Sequence, residues 1–253
     1  MQFSGKDVGQ IHYSWQDFIK NQEFRLQEIE DEIAKSNYTP LAEKVFRFLH
    51  VDLQQVKIII LGQDPYPQAG VATGRAFEVG TLKSWNEKFK NVSLKNIVRA
   101  IYKAETKEIV KYNDLVNNKL GQSFHVLSPS KLFSYWEEQG VLLLNTSFTC
   151  EIGKPGSHAT IWHQFTENLL QFISKENEQI IWFLWGDHAM KAVANIPLEK
   201  ENVISSFHPM MCYERENDFL YTSPNCFEKT WEIIDWTGYR DKKTTELKQQ
   251  YLF

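Results

Sequence analysis

Four short apolar runs limit how this chain can fold. They are VKIIILG (56–62), GVLLLNTSF (140–148), IIWFLWG (180–186) and NVISSFHP (202–209). The run that ends at Gly62 suits a strand buried on both faces, and the other three read the same way. Helical spacing of apolar residues fills 14–35 and, in shorter stretches, about 93–104, 130–138, 160–175, 187–195 and 225–235. Strands alternating with helices imply an α/β fold. The expected architecture is a three-layer sandwich, with a central, mostly parallel four-stranded sheet flanked by helices. A chain of 253 residues can bury one large core. One domain is expected over 1–236, followed by a polar tail at 237–253.

Composition removes several classes. No window offers the ~20 apolar residues of a membrane span, and MQFSGKDVGQ has no charged region leading into an apolar one, so no export signal is expected. Cys150, Cys212 and Cys226 are few and scattered. They fit reduced thiols of a cytoplasmic protein better than a disulfide framework or metal cluster. His125, His158, His163 and His188 show no ligand spacing, so neither metal nor cofactor is expected. The formal charge of −4 argues against a nucleic-acid partner unless basic groups gather locally.

In parallel sheets, ligands bind beyond the carboxyl ends of the strands. That rule selects GQDPYP after the first run, Asn145 in the second, GDH after the third and the histidine–proline pair 208–209 after the fourth. Asp64 follows a strand and precedes Pro65, which disfavours helix at Asp64 and holds its carboxylate at the mouth of the sheet. An isolated Asp-Pro pair is more often a turn cap. Its context here decides otherwise.

GQDPYP resembles the water-activating motif of the family 1 uracil-DNA glycosylases. The resemblance continues through LAEKVFRFLHVDLQQVKIIILG, GRAFEV, SLKNI, QGVLLLNTSFT, GSHATIWHQFTENLL, IIWFLWGDHAMK and the 208–209 pair, in the family's order, over about 14–236. It implies excision of uracil from DNA by base flipping, without a cofactor. Asp64 and His208 become the catalytic pair: the first faces the cationic sugar, the second the anionic uracil. Phe77 would stack on the base and Asn145 would read its edge. Tyr66 would exclude thymine's methyl group, and Gln63 would present a backbone N–H. Ser93 and Ser157, assisted by His158, would hold phosphates.

The chain departs from that pattern in several places. Pro67 replaces the usual histidine, as in poxvirus members. KFKNVSL stands where a proline-rich loop is usual, and the stretch before QGVLLLN is longer. HPMMCYERENDF replaces the motif whose serine grips phosphate and whose leucine wedges into the duplex. Met210 lacks that hydroxyl and Cys212 is a small wedge, so Met211 or Tyr213 could substitute. Glu214, Glu216 and Asp218 make the loop acidic. A preference for single-stranded uracil DNA is therefore expected, from a monomeric enzyme. QQYLF at the terminus resembles peptides that dock on the bacterial sliding clamp, which would engage Gln249, Leu252 and Phe253. Two other readings stay open: an accessory module that binds DNA or the clamp with reduced catalysis, and a glycosylase for another modified pyrimidine.

Overall fold

A computed structural model describes residues 1–240. Its strands are β1 (Gln2–Phe3), β2 (Lys6–Asp7), β3 (Tyr38–Thr39), β4 (Ile58–Gly62), β5 (Val141–Asn145), β6 (Cys150–Glu151), β7 (Ile181–Trp185) and β8 (Val203–Ser206). Its helices are α1 (Gln16–Ile33), α2 (Ala42–Val45), α3 (Val92–Thr106), α4 (Tyr112–Asn118), α5 (Pro129–Glu138), α6 (Ala159–Glu176), α7 (Asp187–Ala192) and α8 (Cys226–Lys229). The chain forms two compact units. One comprises Met1–Thr81 with Gly140–Ser206; the other comprises Leu82–Gln139 with residues 207–240.

The four apolar runs are the strands of one parallel sheet, in the order β5-β4-β7-β8. This is the expected α/β fold, a parallel sheet flanked by helices. Strand side chains alternate between faces, and both faces of β4 and β5 are buried. On one face, Ile59, Leu61, Leu142 and Leu144 join the core with α1 and α6. Phe18 of α1 meets Phe165 and Phe172 of α6 at 5.3 and 5.2 Å between ring centres. Phe46, Phe148 and Trp162 extend this aromatic cluster. A two-residue ribbon, β3 with β6, lies outside the main sheet.

The second unit is largely helical. α3 packs against α8, and the buried Asn225 caps α8 in a reciprocal box with Glu228. The expected helix over 225–235 stops at Lys229. Beyond it, the buried Asp235 carboxylate accepts the N–H groups of Thr237, Gly238 and Arg240 and the Thr237 hydroxyl. Those bonds reward a loop there, and competition from carboxylates of this kind disfavours helix. The long stretch before QGVLLLN contains α4.

Candidate active site

The site begins with two neighbouring strand ends. Gly62 of β4 pairs with Asn145 of β5. A Cβ at 62 would stand 2.3 Å from Asn145 Oδ1 and 2.9 Å from Ala76 Cβ, so only glycine lets the carboxamide lie there. The chains then stay tied past the sheet. Thr146 N–H donates to the Gly62 carbonyl at 3.1 Å, and Ser147 N–H to the Gln63 carbonyl at 2.9 Å. Among the described residues no hydrogen bond engages the Asn145 side chain, although it is 6% exposed. A buried amide left open in this way is suited to a ligand.

Asp64 follows Gln63 on the same turn. Its Oδ2 accepts the Gly156 N–H at 3.1 Å. Burial raises its carboxyl above the usual carboxylate range; the Gly156 bond and the charge of His188 pull the other way. The β3–β6 ribbon places the 150–157 segment for this contact: Cys150 Sγ donates to the Pro65 carbonyl at 3.4 Å, and Gly153 N–H to that of Pro67 at 2.9 Å. Burial, with the nearby Asp64 charge, pushes the Cys150 thiol up to about 12, so it stays neutral.

Tyr66 and Phe77 are joined by a hydrogen bond from the Tyr66 hydroxyl to the Phe77 carbonyl at 3.3 Å. Phe77 has φ +64°, a left-handed backbone that costs an aromatic residue about 1–3 kcal/mol. Its ring lies 5.3 Å from that of Trp185 at the end of β7. Ser157 is exposed, its Oγ accepting the Glu151 N–H at 2.8 Å. His158 is enclosed: Nδ1 lies 2.8 Å from Thr149 Oγ1 and Nε2 3.3 Å from Ser36 Oγ. Burial lowers its pKa, which suits a neutral ring that braces the turn. The sequence assigned no role to two residues that meet this turn, although His188 lies in the selected GDH segment. Gly156 is 92 residues from Asp64 and left no local signal. His188, in the GDH segment, bonds Thr146.

His208, Ser93 and residues 210–213 belong to the other unit. Ser93 lies in the first turn of α3. His208 Nδ1 accepts the Met210 N–H at 3.1 Å, so the neutral ring carries its proton on Nε2. Asn96 of α3 donates to the Pro209 carbonyl at 2.6 Å and anchors the start of the loop. Asp218 is not part of an acidic loop surface. It is fully buried and accepts the N–H groups of Tyr213, Leu220 and Tyr221. Arg215, also passed over, lies over the Phe207 and Tyr213 rings at 3.4 and 4.0 Å. Cys212 turns inward, its thiol donating to the Pro209 carbonyl at 3.5 Å and pushed up to about 11 by burial. Met210, Met211 and Tyr213 are exposed.

The chain is similar to known proteins. The family model for the uracil DNA glycosylase superfamily matches residues 48–235. The chain is 34% identical over 212 residues to a uracil-DNA glycosylase of Azobacteroides pseudotrichonymphae, covering 83% of this chain and 84% of that protein. It is 32% identical over 236 residues to uracil-DNA glycosylase 1 of Listeria monocytogenes, covering 88% and 96%. A solved structure of mimivirus uracil-DNA glycosylase superposes with a TM-score of 0.58 at 26% identity, covering 78% of this chain and 68% of that one.

Proposed function

This chain belongs to the uracil-DNA glycosylase superfamily, and we propose that its own residues excise uracil from DNA with Asp64 and His208 as the catalytic pair. It is a DNA repair hydrolase that cleaves the N-glycosidic bond of deoxyuridine. The relatives named above favour that reading over an accessory module or a glycosylase for another pyrimidine. In the reaction the bond electrons leave with uracil, the sugar becomes oxocarbenium-like, and water adds to the sugar carbon, its lost proton balancing the uracil anion. The ionised Asp64 stabilises the cationic sugar and orients the water. His208, protonated on Nε2, donates to the uracil oxygen as negative charge develops there. Asn145 reads the base edge, Phe77 stacks on its face, Tyr66 blocks a 5-methyl group and the Gln63 N–H meets a uracil carbonyl. The observation that carries the reading is the Asp64 carboxylate, fixed by Gly156 at 3.1 Å on the turn that follows the Gly62–Asn145 pair.

Ser93 and Ser157 hold phosphates, with His158 bracing the turn that carries Ser157. Met211 and Tyr213 serve as the wedge, because they project while Cys212 is turned in. These long, flexible or amphipathic side chains make a softer wedge, so single-stranded uracil DNA is the preferred substrate of a monomer. The clamp-docking residues Gln249, Leu252 and Phe253 lie outside the described residues; deleting the last two should abolish clamp binding. The central test measures abasic-site formation on single- and double-stranded uracil DNA. Activity is expected on both, lost in Asp64→Asn, with Met211→Ala and Tyr213→Ala slowing duplex excision more than single-strand excision. Silence of the wild-type protein on both substrates defeats the reading.

A further inference from the structure

GQDPYP ends in Pro67, which offers no polar side chain beside Asp64. The imidazole that reaches this strand edge comes from α7 instead. His188 Nε2 lies 2.6 Å from Thr146 Oγ1. The Thr146 hydroxyl donates its single proton to the Gln63 carbonyl at 3.0 Å, so its oxygen accepts from the imidazole. The neutral ring therefore carries its proton on Nε2. Two hydrogen bonds thus run from His188 to the peptide group that joins Gln63 to Asp64.

The surroundings are defined. Gln63, Thr146 and His188 line a cavity of about 390 Å³, with Lys191 from α7 and His163 and Glu167 from α6. Burial lowers the His188 pKa, Asp64 raises it and Lys191 lowers it. Burial likewise raises the Asp64 pKa, and His188 offsets part of that rise. Cys150, the other titratable neighbour of Asp64, is neutral through the working range.

We propose that His188 is a positioning residue for the catalytic carboxylate, fixing the Gln63–Asp64 peptide through Thr146. This rests on the uracil-excision reading, so wild-type turnover is the control. The experiment follows single-turnover excision from single-stranded uracil DNA between pH 4.5 and 8, with DNA affinity and Tm, for wild type, His188→Ala and His188→Gln. Glutamine can donate an N–H to Thr146 but carries no charge. His188→Ala should lose about tenfold in rate at neutral pH with DNA affinity unchanged, and His188→Gln should recover most of it. Below the His188 pKa the wild-type ring is cationic and lowers the Asp64 pKa, so both variants should move the acid limb upward. A wild-type rate and acid limb in His188→Ala overturns the proposal, as does a parallel fall of rate and Tm in both variants. Silence of the wild type itself defeats the excision reading instead.

Discussion

Replacing Gly62 by alanine tests whether the β4–β5 register holds the base-reading amide. The new Cβ would lie 2.3 Å from Asn145 Oδ1 and 2.9 Å from Ala76 Cβ. Van der Waals contacts between such atoms need about 3.5 Å, so Oδ1 must retreat by about 1 Å and Ala76 by about half that. The backbone resists the shift, because Gly62 pairs with Asn145 and its carbonyl accepts the Thr146 N–H. Overpacking of this kind costs about 1–3 kcal/mol. For a chain of this size that is a Tm loss of roughly 2–12 °C. The catalytic effect should be larger, since a positioned group displaced by about 1 Å loses on the order of 100-fold in rate. Single-turnover excision from uracil DNA reads the second effect, and calorimetry the first. A Gly62→Ala protein with wild-type excision would refute the argument, whatever its Tm.

Asp64→Asn should abolish excision yet melt a few degrees higher at pH 7.5, by about 1–3 °C. Burial raises the folded-state pKa of Asp64. The stability linked to its protonation is therefore fully present below 3.8 and lost as pH rises through the raised folded value, so the gap in Tm should close on acidification. Equal melting at both pH values would contradict this. Thr149→Val should cost about 2–4 kcal/mol in urea unfolding, because Thr149 Oγ1 serves both His158 Nδ1 and Trp162 Nε1 at 2.8 Å and valine leaves both unpaired in the interior. A loss below about 1 kcal/mol would show that other groups satisfy them.

Much of the fold was legible because β4, β5 and β7 are buried, which forces nearly continuous apolar runs onto them. Their ends differ from the expected ones by no more than three residues. The turn that carries Asp64 was legible for the same reason, because it begins where the first run stops at Gly62. The β3–β6 ribbon was not: two residues carry no periodicity, and its pairing spans more than a hundred positions. The Gly156 contact with Asp64 was invisible because a backbone N–H has no sequence signature. Asp218 was misread because three acids in a polar loop look alike, and only the folded loop shows that one of them collects backbone donors. The helix at 225–235 was overextended because its apolar spacing continues through Ile233 and Ile234, while Asp235 organises the chain differently.

The left-handed backbone of Phe77 has a consequence for directed evolution. Glycine adopts that conformation without penalty, and asparagine with little. A library selected only for heat resistance should therefore enrich Gly or Asn at 77. Each gain would delete the ring proposed to stack on uracil, so the survivors would be sturdier folds that no longer grip the base. Screening on excision at high temperature would hold Phe77 in place and push stabilising changes elsewhere.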